Sequence, residues 1–381
     1  MLWRARGFKN MTFSICFICD QVFGFGKYGG YGKILEIYCR NLRARGIQTV
    51  IITHKGKGQK DIELLNNVPV LSWKYLEEKP LPLRLLSYAN FINSFIIDAD
   101  IYYHIDATIE TYIAMKLKPH KKHIINLQDP YDENDYKLMS SVDERYKWSF
   151  SKKLQMFATY GLVRKTVIKA DYVFTHARYL IPKIRRLFRI KDRAIEFMPN
   201  PVEVPQKTIK KSSEPTVCFI GRWDPQKRVE LFLRLPHKFP EVRFYLIGRS
   251  SNEWRNIYIK KKYSNIRNLK ILGFVSDEKK FGILEKSWIL VNTSIREALP
   301  ITFLEAAAYK TAILSCLNPD NFVSRFGLYV PDENFEGGLQ KLLKDELWKE
   351  KGEKGYEYVK KVHDTNVVIE RFVKICQSLI E

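Results

Sequence analysis

The chain has 381 residues, 45% of them hydrophobic and 28% charged, a composition that excludes collagen-like, low-complexity and disordered proteins. At this length it should divide into about two domains. Its 64 Lys and Arg residues against 42 Asp and Glu leave a formal charge of +22, which predicts an anionic partner: nucleic acid, an anionic membrane or a phosphorylated substrate.

The cysteines and the apolar runs indicate in which cellular compartment the protein is expected. Six scattered cysteines do not make a disulfide scaffold, so a reducing compartment is expected, and we expect Cys16 and Cys19 of the C-x-x-C to be strand core residues. The longest charge-free run, Leu85–Ile97, is shorter than the ~20 residues of a membrane-spanning helix. Asp20 and a glycine run follow the first apolar segment where a signal-peptide cleavage site would lie, so a cytoplasmic location is expected.

Short β-branched or aromatic runs alternate with segments of helical period, the pattern of βα units in a parallel sheet. The predicted strands of the first half are Phe13–Cys19, Thr49–Thr53, Ile101–His104, His123–Leu127 and Tyr172–Thr175. Pro199–Pro215 contains four prolines and a basic-polar stretch, which predicts an interdomain linker. The strands predicted after it are Thr216–Ile220, Arg243–Ile247, Leu269–Leu272, Ile289–Asn292 and Ala312–Ser315. We therefore expect two parallel α/β domains in tandem.

The loop after the first strand is rich in glycine. Gly24, Gly26 and Gly29 satisfy G-x-G-x-x-G, and a helix is predicted over 33–45. Glycines there allow positive φ and a close approach to a ligand, and a helix amino terminus attracts anions. In an NAD site an acidic residue after the second strand binds a ribose hydroxyl. Here Lys55 follows the second strand, so an NAD site is disfavoured. An NADP site with Lys55 on the extra phosphate and a tight turn without ligand both stay open.

A stronger signal follows the strand Thr216–Ile220. Arg222 and Lys227 flank a proline-containing turn, and both side chains can bind phosphate oxygens. Glu297 precedes a predicted helix and Glu305 lies within it, so both carboxylates could accept hydrogen bonds from sugar-type hydroxyls of one ligand. A buried carboxylate without a partner is costly, so the apolar neighbours of Glu305 favour a ligand there.

Together these residues resemble one family. E-x7-E at Glu297 and Glu305, preceded by G-R-x4-K at Gly221, Arg222 and Lys227, looks like the retaining glycosyltransferases of the GT-B fold, specifically the large fourth family (glycosyltransferase group 1). The resemblance extends over most of the chain. Its other landmarks are Gly29-Gly30, Ala170–Val173, Met198–Val202, Leu246–Gly248, Leu272–Val275 and Phe326–Pro331.

The resemblance implies the α/β fold class GT-B, with two Rossmann-like parallel-sheet domains facing across a cleft. Residues 1–200 would form the acceptor-binding domain and 201–365 the nucleotide-sugar donor domain, with 366–381 a helix packing back on the first. The implied reaction moves a hexose-type sugar from a UDP- or GDP-linked donor to a glycan, lipid or lipid-linked acceptor, with retention. No cofactor and no metal are implied, because positive side chains and helix termini would take the place of a divalent ion.

The resemblance also implies roles for single residues. Arg222 and Lys227 would neutralise the donor diphosphate, whose charge grows as the sugar departs, while Glu305 would bind the ribose. The catalytic candidates are Glu297 at the donor sugar, Arg222, Lys227 and Asp129. The other donor-binding positions are Gly29 and Gly30, Gly221, Val275 at the base, and the backbone N–H groups of Leu299 and Ile301 at the diphosphate.

Two positions depart from the family pattern. The family often has a histidine after the strand that His123–Leu127 resembles, and here Gln128 and Asp129 follow. Gln128 cannot act as a base, so Asp129 is either catalytic or a cap or turn residue before Pro130. The glycine after the E-x7-E helix is replaced by Lys310, which changes the helix exit and not the donor contacts.

Donor phosphates account for only part of the charge. Much of the excess lies between Lys147 and Arg193, where apolar residues over 180–190 interleave with cations. A helix there would be amphipathic and basic, a type that rests on anionic lipid, although a solvated face over a packed stripe explains the pattern equally well. The alternative functions are a nucleic-acid-binding or DNA-modifying protein and an NADP-dependent oxidoreductase. Nucleic acid is disfavoured, because no zinc-finger spacing or RNP-type strand is present and E-x7-E would have no role.

Overall fold

The computed structural model describes residues 13–22, 29–56, 59–74, 81–94 and 98–381, and the chain divides into two compact units. The first domain contains the described residues up to Pro130, together with Ser149–Pro201 and Asn366–Glu381. The second domain contains Tyr131–Trp148 and Val202–Thr365. A single division at residue 200 is therefore wrong for Tyr131–Trp148, which packs with the second domain.

Each domain is built on one sheet, and the described residues supply fourteen strands. The first sheet has the order β3-β4-β2-β1-β5-β6-β7-β8 and contains β1 (Ser14–Ile18), β2 (Gln48–His54), β3 (Ile62–Leu65), β4 (Val68–Trp73), β5 (Ile101–Ile105), β6 (Lys122–Asn126), β7 (Tyr172–Thr175) and β8 (Glu196–Phe197). The second has the order β11-β10-β9-β12-β13-β14 and contains β9 (Thr216–Ile220), β10 (Arg243–Ile247), β11 (Leu269–Gly273), β12 (Ile289–Asn292), β13 (Ala312–Ser315) and β14 (Gly327–Tyr329).

Helices connect these strands. They are α1 (Gly30–Ala44), α2 (Leu81–Ser94), α3 (Ile109–Leu117), α4 (Glu133–Ser140), α5 (Phe150–Lys169), α6 (Ile181–Phe188), α7 (Val229–Leu233), α8 (Glu253–Tyr263), α9 (Asp277–Lys286), α10 (Ile301–Ala308), α11 (Phe322–Phe326), α12 (Phe335–Leu343), α13 (Leu347–Val362) and α14 (Thr365–Ile380). In the described part of the chain, no helix combines the length and the apolar character needed to cross a membrane.

The strands form where the sequence is a continuous apolar run. All five residues of β1 are buried, as in a parallel sheet covered on both faces, and Cys16 and Cys19 are buried as expected. The ten predicted strands are confirmed to within about two residues, the usual precision of element ends. The hairpin of β3 and β4 was not predicted. Its turn residues Asn66 and Asn67 have φ of 49° and 63°, which matches a type I′ turn.

The basic segment of the first domain folds as α6 with its apolar side turned inward. Leu180, Ile184, Phe188 and Ile190 are each at most 5% exposed, whereas Arg185 and Arg186 on α6 are exposed. The apolar stripe therefore packs in the protein core and is not available to lipid. Of the two explanations that the sequence left open for this helix, the solvated face over a packed stripe is the one observed.

Lys310 occupies the exit of α10 in a conformation suited to glycine. Its φ is +55°, and the Thr311 N–H donates to the Ala306 carbonyl at 2.9 Å, which closes the helix end. The left-handed conformation costs a non-glycine residue about 1–2 kcal/mol, partly offset here by an exposed ion pair with Glu353 at 2.8 Å. Lys310→Gly is therefore expected to raise the free energy of unfolding by about 1 kcal/mol in urea denaturation. The control Lys341→Gly, within α12, should lower it by a similar amount, and a destabilised Lys310→Gly variant would contradict the account.

Candidate active site

The second domain places its two sequence motifs at one edge of its sheet. The strand order reverses between β9 and β12, and α/β proteins bind ligands beyond the carboxyl ends of strands at such a point. The loop after β12 is joined to the loop after β9: the Ile295 N–H donates to the Gln226 carbonyl at 3.0 Å, and the Thr293 hydroxyl donates to the Lys227 carbonyl at 2.6 Å. The G-R-x4-K and E-x7-E segments therefore lie side by side.

Glu297 and Lys227 form an ion pair at this edge. Their side chains are 15% and 16% exposed, and the Ser294 hydroxyl donates to Glu297 Oε1 at 2.7 Å. Burial acts to raise the pKa of Glu297, but the Lys227 ammonium and the Ser294 hydroxyl outweigh it, so that this pKa is lowered. Glu297 is therefore an ionised acceptor for hydroxyl groups. An ammonium has three protons, so Lys227 can bind Glu297 and a phosphate oxygen together.

Glu305 also has a partner in the protein. It is 4% exposed on α10, and Lys280 Nζ of α9 lies 2.7 Å from its Oε1 and 3.1 Å from Asp277. The expectation that Glu305 lacks a protein partner is therefore wrong, and its burial alone does not require a ligand. Nothing in the sequence pairs Lys280 with Glu305, because the contact joins two different helices.

Arg222 is the second residue after β9. Its side chain is 56% exposed, and its Nη1 lies 3.1 Å from the buried carboxylate of Asp224, which also accepts from the Ser250 hydroxyl at 2.8 Å. The pair orients a guanidinium that solvent still reaches. Because a guanidinium has five N–H donors, Arg222 can bind an anion while it remains bound to Asp224.

The other predicted donor-binding residues of this domain lie around the same sheet edge. Leu299 is buried just before α10, Ile301 is the first residue of that helix, and the first-turn N–H groups of a helix have no partner within it. Gly221 is the first residue after β9, and Val275 follows β11, a strand separated from β9 by β10. Gly221, Leu299 and Ile301 therefore lie within the two motif segments, whereas Val275 lies beyond the end of a strand two places from β9 in the sheet.

Gly248 holds the loop after β9 in place. Its φ is +117°, and a Cβ at this position would overlap the carbonyl group of Gly221. A side chain here meets both an unfavourable backbone conformation and rigid backbone atoms. We expect Gly248→Ala to lower the free energy of unfolding by about 2–5 kcal/mol, the sum of left-handed strain and overpacking. Gly282→Ala, on α9 with open space around it, is the control and should be neutral or stabilising in the same urea titration.

The described part of the glycine loop in the first domain, which begins at Gly29, does not have the backbone conformation that the sequence predicted. The α1 helix begins at Gly30, and Gly29 is its N-cap with φ of −156°, an extended conformation open to any residue. The predicted need for positive φ is therefore not met at Gly29, whereas Gly24 and Gly26 lie outside the described residues. Lys55, the candidate for the extra phosphate of NADP, pairs with Asp61 at 2.6 Å.

Asp129, in the first domain, follows β6 and lies beside a second carboxyl group that sequence reasoning missed. Asp106 follows β5, and its Oδ1 accepts from the Gln128 N–H at 2.9 Å. Burial, with the charges of Asp129 and Asp20, raises the pKa of Asp106 to about 7. Asp106 can therefore exchange a proton near neutral pH. The sequence did contain one indication of this group, because Asp106 lies two residues after the predicted strand Ile101–His104.

This pKa predicts a pH dependence of stability. The folded-state pKa of Asp106 lies above the ~3.9 of an unfolded chain, so its contribution to stability is full below about pH 4 and is lost as the pH rises through about 7. Asp106→Asn stays neutral throughout. The difference in free energy of unfolding between the variant and the wild type should therefore shift in favour of the variant from about pH 4 to pH 7 and stay constant above that. Urea denaturation across this range measures the difference, and a difference independent of pH would contradict the assignment.

Two sequence families and several solved structures match the chain. Residues 203–362 match the glycosyl transferases group 1, and residues 28–205 match Glycosyltransferase Family 4. No curated protein sequence matches it. Sucrose-phosphate synthase from Thermosynechococcus elongatus has 15% identity and a TM-score of 0.74, covering 96% of this chain and 99% of its own.

Two further structures are similar at the same level. Anabaena HepE in complex with UDP-glucose has 12% identity and a TM-score of 0.67, with 96% of this chain and 100% of that chain covered. WaaG, a glycosyltransferase involved in lipopolysaccharide biosynthesis, has 12% identity and a TM-score of 0.69, with 95% and 99% covered. At these identities the likeness shows the fold. The two family matches together run from residue 28 to residue 362 on this two-domain architecture, and the chain therefore belongs to the group 1 glycosyltransferases of the GT-B fold.

Proposed function

We propose that the protein moves a hexose-type sugar from a UDP- or GDP-linked donor to a glycan, lipid or lipid-linked acceptor, with retention at the anomeric carbon. The observation that carries the proposal is the cluster of Arg222, Lys227, Glu297 and Glu305 at the switch point of the second sheet. Side-chain cations for a diphosphate and carboxyl groups that accept from hydroxyls lie there, which is the combination that a nucleotide sugar requires.

Each residue has a chemical task in this proposal. Arg222 and Lys227 bind the diphosphate, and their attraction strengthens as the leaving group gains charge, which lowers the barrier. Glu297 accepts from hydroxyls of the donor sugar, and Glu305 accepts from the ribose beside its partner Lys280. The N–H groups of Leu299 and Ile301 and the backbone at Gly221 contact the phosphates, and Val275 contacts the base. Gly29, Gly30 and Asp129 stay the candidates of the first domain.

We further propose that the reaction needs no metal, since side-chain cations supply the positive charge at the diphosphate. An Asp-x-Asp sequence, Asp98-Ala99-Asp100, lies at the amino end of β5, the edge opposite to the one where ligands bind. Asp98 pairs with Lys121 at 2.7 Å, and Asp100 accepts from the Ser14 hydroxyl at 2.7 Å. These structural contacts support a role outside donor binding. The nucleotide titration described next, repeated with EDTA and with added Mg²⁺ or Mn²⁺, tests the proposal.

The test is a thermal-shift and calorimetric titration of the full chain with UDP, GDP, their sugar conjugates, NADPH and duplex DNA. One nucleoside diphosphate should give a saturable shift that is lost in Arg222→Ala and Glu305→Gln. Arg243→Ala is the matched control, because Arg243 is also half-exposed and ion-paired, to Glu214, but lies at the amino end of β10. Loss in the control as well, or a response to NADPH or DNA alone, would overturn the proposal.

We also propose that the first domain docks on an anionic membrane, through α5 and not through α6. Phe150, Leu154 and Phe157 of α5 are 82%, 60% and 62% exposed, and their spacing places them on one face of the helix. The Arg189 guanidinium lies 5.5 Å from the Phe157 ring. Exposed cations on the packed α5–α6 pair include Lys153, Lys165, Arg185 and Arg186. Exposed apolar side chains together with cations on the same pair of helices suit an anionic lipid surface.

Sedimentation with phosphatidylglycerol vesicles at moderate salt tests the docking. The intact chain should pellet with these vesicles and not with phosphatidylcholine vesicles, and Leu154→Ser/Phe157→Ser should stay in the supernatant. Trp254→Ser, which removes an 80% exposed apolar side chain from α8 in the second domain, should pellet like the wild type. Wild-type protein left in the supernatant would remove the membrane from the proposed function.

A further inference from the structure

The helix α8 of the second domain presents an apolar face to solvent. Trp254, Ile257 and Tyr258 are 80%, 50% and 50% exposed, and their spacing of i, i+3 and i+4 places them on one side of the helix. The opposite side faces the core, because Asn256 and Ile259 are 3% and 0% exposed. Trp and Tyr are enriched among the side chains that anchor interfaces, so this exposed cluster indicates a binding surface.

The segment that contains this face carries positive charge without counter-charge. Residues 249–275 contain seven Lys or Arg residues and one acidic residue, Glu253. Arg255 pairs with Glu230 at 2.6 Å. The other six cations are exposed, and among the residues that the structure describes none of them has an ion-pair partner: Arg249, Lys260, Lys261, Lys262, Arg267 and Lys270.

Exposed lysines on other helices of the chain differ in this respect. Lys349 of α13 pairs with Glu346 at 3.4 Å, and Lys374 of α14 pairs with Glu370 at 2.7 Å. Charges paired in this way attract a partner only weakly. The six cations near α8 are not compensated, so they attract an anionic partner and repel a second copy of this basic chain.

The position of Lys261 distinguishes a protein partner from a lipid surface. It lies seven residues after Trp254, four after Ile257 and three after Tyr258, which places it in the middle of the apolar face. If this face entered a membrane, the ammonium group would be carried toward the hydrocarbon with its apolar neighbours, which is costly. A folded partner can instead place a carboxylate opposite Lys261 and apolar side chains opposite the aromatic rings.

Lys262 lies in an ordered position beside the same face. Its ammonium nitrogen is 5.2 Å from the centre of the Tyr258 ring, 5.5 Å from that of the Tyr263 ring and 2.8 Å from the Tyr258 hydroxyl oxygen. This cation is therefore positioned before a partner binds, which reduces the side-chain entropy that binding costs.

We propose that the face of α8 formed by Trp254, Ile257, Tyr258 and Lys261 binds an acidic amphipathic helix of a partner protein. The apolar stripe of that helix covers the aromatic rings and Ile257, and its carboxylates pair with Lys261 and Lys262. Helix faces with this spacing pack side by side through their ridges and grooves. The inference goes beyond the proposed function and does not rest on it, because the surface contains none of the residues assigned to the donor.

Fluorescence anisotropy of a labelled peptide on the full chain tests the inference. The probe is a helical peptide with a stripe of leucines flanked by glutamates, and a shuffled peptide of the same composition lacks the stripe. At moderate salt the amphipathic peptide should bind more tightly than the shuffled one. Trp254→Ser and Lys261→Glu should each raise its dissociation constant at least about tenfold. Lys261→Glu/Lys262→Glu should instead prefer the counterpart peptide that carries lysines in place of the glutamates.

Two matched variants control for general effects of charge and exposed apolar surface. Lys349→Glu reverses an exposed lysine on α13, and Leu64→Ser removes a 73% exposed apolar side chain from β3. Both should keep the wild-type affinity for the amphipathic peptide. Equal loss in either control, equal binding of the shuffled peptide, or no binding of the amphipathic peptide to the wild type would overturn the inference.

Competition experiments exclude the other occupants of this face. Phosphatidylglycerol vesicles and duplex DNA should not displace the bound peptide, and displacement by either would assign the face to lipid or nucleic acid instead. Sedimentation velocity should show no self-association that Trp254→Ser abolishes, since such association would make the occupant a second copy. UDP or GDP should bind Trp254→Ser as tightly as the wild type. Nucleotide binding without peptide binding refutes this inference alone, and peptide binding without nucleotide binding refutes the proposed function alone.

Discussion

Replacement of Lys227 by methionine is expected to lower kcat/KM by about 10²–10³, the usual effect of removing one preorganised group that stabilises transition-state charge. The variant keeps most of the side-chain volume and removes the cation that lies beside Glu297. The rate of nucleoside diphosphate release from the donor sugar, with water as acceptor, measures the effect without knowledge of the natural acceptor. Lys207→Met, which breaks the exposed pair with Glu285, is the control and should keep wild-type activity.

The pH dependence of stability distinguishes lost catalysis from lost folding in this variant. In the wild type the pKa of Glu297 is lowered, so its contribution to stability is present above the unfolded-state pKa and is lost as the pH falls through the folded-state value. Without the ammonium, burial dominates and raises that pKa, so the variant should lose stability as the pH rises. Lys227→Met/Glu297→Gln should remove this pH dependence without restoring activity. Recovery of activity in the double variant would show that Lys227 acts only by neutralising Glu297.

Asp135→Ala is expected to lower the free energy of unfolding by about 3–5 kcal/mol, because it removes a buried carboxylate that pairs with the buried guanidinium of Arg296. Arg296 Nε donates to Asp135 Oδ1 at 2.8 Å, and the two side chains are 8% and 11% exposed. The Arg296 guanidinium also lies 3.7 Å from the centre of the Tyr131 ring. Since Arg296 immediately precedes Glu297, donor binding should weaken in parallel. Urea denaturation followed by tryptophan fluorescence and the nucleotide titration give the two readouts.

Two further variants make this prediction specific. Glu133→Ala removes an exposed carboxylate from the same helix α4, where it pairs with Lys137, and should change stability by less than about 0.5 kcal/mol. Arg296→Met/Asp135→Ala should be more stable than Asp135→Ala alone, because the double variant also removes the buried guanidinium that has lost the charge of Asp135. Equal losses in Glu133→Ala and Asp135→Ala would show that the helix and not the ion pair is responsible.

The elements that the sequence predicted well are those set by local composition. Apolar runs such as Thr216–Ile220 are buried on both sheet faces, so their pattern alone defines them. The contacts that it could not predict join residues far apart in the chain. Two such contacts are the ion pairs of Lys280 with Glu305 and of Asp135 with Arg296. The second of them joins Tyr131–Trp148 to the second domain, whereas the sequence predicted this segment in the first.

Site residues were predicted by a different route. Arg222, Lys227 and Glu297 carry charges next to predicted strand ends, so the rule that ligands bind there was enough to select them. Asp106 stands in a similar relation to its strand, but its raised pKa depends on its burial and on the charges of Asp129 and Asp20, which come from other loops. The position of a residue at a strand end therefore predicts that its side chain lies near the site, but it does not predict the pKa that neighbouring loops give to that side chain.

The division of the chain between the two domains has a consequence for biosynthesis. The chain passes from one domain to the other after residues 130, 148, 201 and 365, and the last segment returns Phe372 to the core of the first domain against Tyr38 and Tyr103. The first domain to leave the ribosome therefore lacks part of its core until the final helix is translated. Domains normally fold as units during synthesis. Here the amino-terminal one is completed last, and a stop codon near residue 365 should yield an aggregating product from an otherwise intact gene.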